Sequence, residues 1–422
     1  MLRGGRGVPL RRPVAAFLAA VAVVAGVAVG LVTANLGSPG SSAAPSVPLV
    51  AGPSPQPGSS SSTSPGGPPP SRAPGTSPTA SPTPTPQPTP TTVPAPLTGR
   101  LVAPEVARRH PIAVMIDDLG VARPQSGFNA ASVVFQAPAE GGIPRYMLVF
   151  QDRVPKSVGP VRSSRYYYIA WAAQWRAMYV HVGGSPQAMQ TLAAQGQGQL
   201  VYNADEFRWG GQYLWRITER IPPHNVYSDG VRLRQLAKRV GAKDTVIQTA
   251  WKFRADKPLA QRPVGGRLEM GYPQNHIRYD YDRKTNTYLR SVTGERRQID
   301  AADGKRVAPK NVIVMLVRFG PLNDGHYAQK HRLEATVLGS GPAWIATNGR
   351  TIKGTWRKAS LTGPLRFYDS KGRPVKLTVG QSFVQVLPMG SIVTVKDGKV
   401  PTQQPKPAPH VTPRPAFVAR PI

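Results

Sequence analysis

The chain has 422 residues, and its 53 lysines and arginines against 21 aspartates and glutamates give a formal charge of +32. A charge excess of this size attracts polyanions whatever the fold. No cysteine is present, which excludes disulfides, thiolate metal sites, cysteine nucleophiles and the lipid-modified cysteine of a lipoprotein.

The N-terminus has the pattern of a membrane anchor. Four arginines fall within residues 1–12, and residues 13–36 form an uncharged apolar run, longer than the roughly 20 residues that span a bilayer. The arginines predict that residues 1–12 are a cytoplasmic basic end and that the rest of the chain lies outside the cytoplasm. A cleaved signal peptide is the alternative, although the apolar cores of signal peptides are usually ~7–15 residues long.

Two further segments have compositions that oppose folding. Residues 37–100 contain 19 prolines in 64 positions, with Ser, Thr, Gly and Ala making up most of the remainder. Because few apolar side chains are available to offset the entropy lost on ordering, this segment is predicted to be a disordered, extended stalk. Residues 398–422 are predicted to be a disordered tail for the same reason.

Residues 101–250 alternate short apolar runs with helix-like segments. Strands are predicted over residues 112–116, 133–137, 146–150, 178–182 and 245–250, and helices over residues 166–176, 186–194 and 229–240. Such alternation predicts an α/β domain with a mixed sheet and flanking helices.

Residues 251–397 are predicted to form a β-rich domain. Two strands, residues 276–282 and 287–292, flank a turn and predict a hairpin. Further short strands, divided by Gly, Pro, Asn and Asp turns, are predicted over residues 311–318, 333–338, 343–347, 351–356, 365–368, 382–387 and 392–395.

The strongest candidate for a binding site is the junction between the strand at residues 178–182 and the next helix. Gly183 and Gly184 follow the strand, Ser185 is placed to cap the helix, and Pro186 takes its first position. Free backbone N–H groups at such a helix start can hold a phosphate or carboxylate. An ordinary strand-to-helix connection is the alternative interpretation.

A second group of polar residues precedes the predicted helix at residues 166–176. Ser163 or Ser164 is placed to cap this helix, and Arg162 and Arg165 flank the two serines. Guanidinium groups beside a helix start can clamp an anion. Pairing with surface acids is the alternative, although the chain has less than half as many acids as bases.

Four other polar residues could supply acid–base chemistry or metal ligands: Asp117, Glu140, His181 and His224. None has the spacing of a metal motif such as His-Glu-x-x-His, so no metal site is predicted. The chain also has no Walker loop, no Gly-x-Gly-x-x-Gly after a strand and no Gly-x-Ser-x-Gly elbow. No cofactor is therefore predicted, and nucleic acid is expected to bind only non-specifically through its phosphates.

These polar segments recur as ordered blocks along the chain. The blocks are residues 109–117, 122–127, 138–145, 159–165, 181–186, 223–225 and 348–358. In this order they resemble the YerB-like family of bacterial lipoproteins, over about residues 97–395. The resemblance implies a two-part domain outside a bacterial cell and no known reaction. Because this chain lacks the lipobox cysteine, its predicted attachment is the helix at residues 13–36.

The sequence therefore predicts a single-pass bacterial membrane protein whose extracytoplasmic domain binds an anionic envelope polymer or lipid headgroup in a basic cleft. The predicted cleft residues are Arg145, Arg162, Ser163, Arg165, Gly183, Gly184, Ser185, His224 and Asn225. One alternative is an envelope hydrolase or transferase in which Glu140 and His181 carry out acid–base catalysis. Another is a protein-interaction scaffold displayed on the stalk.

Overall fold

The computed structural model describes residues 91–402, except residues 248, 294–296 and 326. The predicted cytoplasmic end, membrane anchor and most of the stalk lie outside the described residues, as does most of the predicted tail. Among the helices that are described, none is long and apolar enough to cross a membrane.

The N-terminal half, up to residue 250, mixes strands and helices. In chain order its elements are β1 (Val93–Pro94), β2 (Leu101–Val102), α1 (Pro104–Ala107), β3 (Ile112–Asp117), β4 (Val133–Pro138), β5 (Pro144–Phe150), α2 (Tyr166–Ala172), β6 (Met178–His181), α3 (Pro186–Ala194), β7 (Tyr202–Asp205), α4 (Glu206–Trp209), β8 (Trp215–Arg216), β9 (Val226–Tyr227) and α5 (Gly230–Arg239). Short 3-10 helices lie at Gly120–Ala122, Phe128–Ala130, Glu140–Gly142 and Ala173–Trp175.

The C-terminal half is β-rich. Its elements are β10 (Lys252–Arg254), a 3-10 helix (Leu259–Gln261), β11 (Val264–Tyr272), β12 (Asn275–Asp282), β13 (Thr287–Val292), β14 (Ile299–Asp300), β15 (Lys305–Arg306), β16 (Asn311–Val317), β17 (Phe319–Pro321), α6 (Tyr327–Lys330), β18 (Leu333–Ala335), β19 (Gly339–Thr347), β20 (Arg350–Lys358), β21 (Arg366–Asp369), β22 (Lys376–Thr378), β23 (Ser382–Pro388) and β24 (Val393–Lys399).

A ten-stranded sheet joins the two halves, in the order β21-β20-β19-β16-β23-β4-β5-β3-β6-β7. The junction is the parallel pairing of β4 with β23, in which Val133 is opposite Ser382. The two predicted domains therefore share one sheet. Strands β16, β23, β4, β3, β6 and β7 point in the same direction, while β5 runs against its neighbours β3 and β4.

The sheet is buried on both faces, which explains the uninterrupted apolar runs of its central strands. On one face, side chains such as Val114 and Phe383 pack with Tyr279 from the four-stranded sheet β13-β12-β11-β24. On the other face, α2 covers the sheet, and its Trp171 ring stacks on Phe135 at a centroid distance of 5.5 Å.

Several predicted elements are confirmed. Helix α3 has the predicted bounds, and its N-cap is Ser185, whose Oγ accepts a hydrogen bond from the N–H of Ala188. Strands β12 and β13 form the predicted hairpin. The predicted helix at residues 166–176 begins as expected, but it continues after Ala172 as a 3-10 helix rather than as an α-helix.

Two predicted segment boundaries and one predicted strand were wrong. Residues 93–100 belong to the fold and not to the stalk, because β1 pairs with β2 and Leu97 is fully buried. At the other end, β24 continues to Lys399, which is opposite Val264. The strand predicted at residues 245–250 is not among the described strands. A strand needs a hydrogen-bonded neighbour, and this apolar run instead leaves Val246 exposed.

Candidate functional site

The predicted polar residues meet at one edge of the large sheet. Asp117, His181 and Asp205 are the last residues of the parallel strands β3, β6 and β7. Glu140 follows β4, which points the same way, and Arg145 lies at the start of the reversed strand β5. Ligand sites of open α/β sheets occur at this carboxyl edge. The sheet topology therefore indicates this edge as the candidate binding site.

Glu140 forms an ion pair with two arginines at this edge. Its Oε2 accepts a hydrogen bond from Nη2 of Arg165 and lies 3.7 Å from Nη2 of Arg145. Arg165 is held further by Ser163, whose Oγ accepts from Nη1 at 3.1 Å, and by the carbonyl oxygen of Ser164. Burial raises the pKa of Glu140, but Arg165 and Arg145 outweigh it and hold the pKa below its usual value. Glu140 is therefore an anion at neutral pH.

A second ion pair lies at the end of β3. Asp117 is fully buried, and its Oδ2 accepts a hydrogen bond from Nδ1 of His224 at 2.6 Å. The same oxygen is 3.0 Å from Nε of Arg162, although that N–H does not point at it well enough for a hydrogen bond. Burial raises the pKa of Asp117, but the charges of Arg145 and Arg162 lower it by more. The pKa of Asp117 is therefore below its usual value.

Arg145 connects the two ion pairs. It is directly opposite Asp117 in the antiparallel pair of β3 and β5, and its other carboxylate neighbour is Glu140. Burial and the charges of Arg165 and Arg162 lower the pKa of Arg145 to about 10, against the opposing effect of the two carboxylates. Three guanidinium groups thus share two carboxylates, and the site carries a local excess of positive charge.

A cavity of about 310 Å³ opens beside Glu140 and Arg165. Gly184 and Ser185 line one side of it, and the C-terminal half contributes Gln329, Lys330 and Arg332. Arg332 pairs with Asp324. In the described part of the chain no carboxylate pairs with Lys330, which is exposed. The cavity therefore has a basic wall on the side away from the sheet.

The turn from Gly183 to Ser185 is tied to the arginine segment by backbone hydrogen bonds. The N–H of Ser164 donates to the carbonyl oxygen of Gly183 at 2.9 Å, and the N–H of Ser185 donates to the carbonyl oxygen of Ser164 at 3.2 Å. Gly183 has a φ of +54°, and its N–H donates to Oδ1 of Asp205 at 2.9 Å. The two segments that the sequence singled out separately are consequently one structural unit.

His181 has a structural position in this unit. Its side chain is fully buried, with Nδ1 2.8 Å from the carbonyl oxygen of Gly183 and Nε2 2.8 Å from the side-chain oxygen of Asn203. Among the described residues the ring contacts neither Glu140 nor Arg162 through a hydrogen bond. The acid–base alternative requires Glu140, His181 and Arg162 to lie within hydrogen-bond reach of one another. The hydrogen bonds of the His181 ring go to Gly183 and Asn203 instead.

Asn225, Ser163 and Ser164 do not have the contacts that the sequence predicts for them. Asn225 accepts from Nη1 of Arg216 at 3.1 Å and donates to the carbonyl oxygen of Ile217. The prediction that Ser163 or Ser164 caps α2 was wrong, because the N-cap is Arg165 and no side chain caps it. Ser164 Oγ is instead 2.9 Å from the hydroxyl oxygen of Tyr179.

Sequence reasoning missed two parts of the site. It named Asp117 as a candidate for acid–base chemistry but did not assign it to the cleft, although the change from an apolar strand to two aspartates marked the end of β3. It also missed Lys330 and Arg332, which no sequence pattern distinguishes from other surface cations. In the part of the chain that the structure covers, no three His, Asp or Glu side chains are placed to share a metal ion.

The fold and site define a two-part protein in which an α/β half and a β-rich half share one sheet, with an arginine-rich cleft at its carboxyl edge. The chain belongs to the DUF3048 family. Residues 97–243 match "Protein of unknown function (DUF3048) N-terminal domain", and residues 268–384 match the corresponding C-terminal domain.

A Bacillus subtilis protein (strain 168) is similar over most of both chains. It carries the name "Putative lipoprotein YerB" and is 28% identical over 309 residues, which are 72% of this chain and 89% of that protein. The crystal structure of YerB from Bacillus subtilis superposes with a TM-score of 0.63 at 26% identity, covering 71% of this chain and 99% of the crystallised one. The resemblance noted from the ordered blocks is thus confirmed.

Proposed function

We propose that this protein is a membrane-associated, extracytoplasmic binding protein whose arginine-rich cleft takes a phosphate group of an anionic envelope polymer or lipid headgroup. The observation that carries the proposal is the charge imbalance at the carboxyl edge, where Arg145, Arg162 and Arg165 share, among the described residues, only the carboxylates Glu140 and Asp117. Of these arginines Arg165 lines the neighbouring cavity, so an anion that enters it meets this excess of positive charge at Arg165. Arginine suits this role because its planar fork matches phosphate oxygens.

The position of the cavity supports a ligand that approaches from solvent. Lys330 stands at its outer wall and is exposed, whereas Arg165 at the inner wall is only 7% exposed. An incoming anion therefore meets a mobile, hydrated ammonium group first and the fixed guanidinium group second. Charges arranged in this way attract a ligand by long-range steering and then orient it.

The extracytoplasmic location rests on the N-terminal sequence and on the relative. YerB is named as a lipoprotein, a class attached to the outside of the membrane. This chain has no cysteine to carry the lipid, but residues 13–36 are apolar and follow a basic end. We infer that this run takes the place of the lipid and that the proline-rich residues after it act as a spacer of the kind such composition favours.

The test compares two exposed lysines that differ only in position. Lys330→Gln removes a charge from the cavity wall, and Lys371→Gln removes the same charge from a surface turn. The purified full-length chain, in neutral detergent, is titrated with soluble poly(glycerol phosphate) and, separately, with phosphatidylglycerol in mixed micelles. One ion pair at about 4 Å in water contributes about 1 kcal/mol, so Lys330→Gln should weaken binding about fivefold and Lys371→Gln should not.

The two titrations distinguish the sources of the phosphate. A loss confined to the polymer identifies a wall component, and a loss confined to the micelles identifies a lipid headgroup. Raising the salt concentration should weaken binding in either case because exposed charges are screened. Equal effects of the two lysine substitutions would show that the general surface charge, and not the cleft, binds the polyanion.

A further inference from the structure

A second and larger cavity lies at the opposite edge of the sheet. Its volume is about 690 Å³, and His110 forms part of its wall just before β3, whereas Asp117 of the first site ends that strand. Its wall includes the end of the helical segment that begins at Tyr166, with Gln174, Trp175 and Arg176. It shares no lining residue with the first cavity, so the two are separate cavities.

Its ionisable lining is entirely basic. Arg176, Lys252 and Arg366 line it together with His110, and no aspartate or glutamate does. All three cations are exposed, and within the described residues none of them forms an ion pair. The nearby Asp244 is not part of the lining, and its charge acts on Arg234 and His110. The cavity thus presents several cations without a counter-ion.

The strand register adds an observation that does not depend on the cavity. Lys252 of β10 is directly opposite Lys376 of β22, and Arg366 of β21 is directly opposite Arg357 of β20. Like charges placed opposite each other on neighbouring strands destabilise a sheet. One member of each pair, Lys252 and Arg366, lines the cavity. An anion bound there would reduce the repulsion between that residue and its partner on the neighbouring strand.

The floor of the cavity is rigid. Trp175 is buried and packs edge-on against Trp251 at a centroid distance of 6.1 Å. Gln174 donates to the carbonyl oxygen of Trp171 and accepts from the N–H of Leu365 at 3.0 Å, which joins the helical segment to the strand region that carries Arg366. These contacts fix the backbone segments that carry Arg176 and Arg366, so the cavity wall is formed before a ligand arrives.

We propose that this cavity is a second binding site, for an extended anion that carries several phosphate groups. Its volume lies within the range of roughly 300–1,000 Å³ typical of small-molecule sites and is about twice that of the first cavity. Cations contributed by three separate segments suit a linear oligophosphate better than a single phosphate. The site fits a chain of linked phosphates lying along the cavity over Trp175.

The experiment uses tripolyphosphate as the probe and the full-length chain. Hydrogen exchange followed by mass spectrometry reports which segments the probe protects. We expect protection of residues 173–176 and 362–366. The double substitution Lys252→Gln with Arg366→Gln should raise the tripolyphosphate concentration needed for half-maximal protection about tenfold. Each lost charge pair at about 4 Å in water weakens binding about fivefold, and screening by salt reduces the combined effect.

Two controls decide the outcome. Arg350→Gln with Lys353→Gln removes the same kinds of charge from exposed positions of β20 outside the cavity and should leave the protection unchanged. Lys330→Gln should also leave it unchanged. The proposal is overturned if protection appears only around residues 140–145 and 183–185, or if the control pair on β20 weakens binding as much as the cavity pair.

Discussion

Substituting Glu140 by glutamine has opposite expected effects on stability and on binding. Glutamine keeps the shape of the side chain and one acceptor oxygen but removes the charge that lies between Arg165 and Arg145. In the free protein that charge stabilises the two guanidinium groups. In the complex it repels the incoming anion. The same substitution should therefore destabilise the fold and strengthen ligand binding.

The loss of stability should be about 1 kcal/mol. A hydrogen bond to a charged group contributes roughly 1.5–3 kcal/mol, and about half of this remains when a neutral oxygen replaces the carboxylate. The side chain of Glu140 is 22% exposed, so solvent screens part of the interaction. Because the folded protein lowers the pKa of Glu140, its contribution is present above the ordinary glutamate pKa and disappears as the pH falls through the lowered value.

The gain in binding follows from the same charge. An anion bound by Arg165 lies within about 4–6 Å of Glu140, where two like charges repel by about 1 kcal/mol in water. Removing the repulsion should tighten the binding of poly(glycerol phosphate) about fivefold. Glu105→Gln is the matched control, because Glu105 is exposed and precedes β3 at the far edge of the sheet, and it should not change binding.

Urea unfolding at neutral and at acid pH measures the first effect, and titration of the full-length chain measures the second. The stability difference between the two proteins should be largest at neutral pH, should begin to fall near the ordinary glutamate pKa of about 4.3, and should disappear once the pH is below the lowered value. Weaker binding by Glu140→Gln would refute the idea that the Glu140 carboxylate repels the bound anion. It would show that this carboxylate orients the arginines or acts as a base. Unchanged binding would remove Glu140 from the site.

Three further substitutions test local features of the fold. Gly183→Ala should lower the free energy of unfolding by about 1–2 kcal/mol, because the φ of +54° at this position disfavours any residue with a β-carbon; unchanged urea unfolding would contradict this. Ser185→Ala should lower it by about 0.5–1 kcal/mol through loss of the α3 cap, while Ser185→Thr, which can still cap, should cost less than the alanine variant in the same unfolding measurement. Asp118→Asn concerns a buried acid whose pKa burial raises to about 6. An acid with a raised folded-state pKa favours the fold most when protonated, so the stability of the wild type relative to Asp118→Asn should fall by up to roughly 3 kcal/mol between about pH 4 and pH 6. A difference that is constant over this range would show that Asp118 titrates normally.

Local features of the site were readable from the residues alone. Gly183, Ser185 and Pro186 specify a turn and a helix start through backbone preferences that act within a few residues, and α3 begins there. Gly184 and Ser185 line the cavity with Glu140 and Arg165. The chemistry of individual partners was less predictable. His181 looked available for proton transfer, but the fold surrounds both ring nitrogens with oxygens of Gly183 and Asn203.

The sequence by itself determined the α/β character of the first half, the β-rich character of the second, and the basic nature of the cleft, because these depend on periodicity, turn residues and composition. Only the tertiary structure decided that the two halves share one sheet and that Lys330 closes the cavity beside Arg165. Pairing of β4 with β23 joins residues about 250 positions apart, and no local preference encodes such a contact. The cavity at Arg176, Lys252 and Arg366 has the same origin, since three cations that are distant in the sequence line one cavity only after the strands have paired.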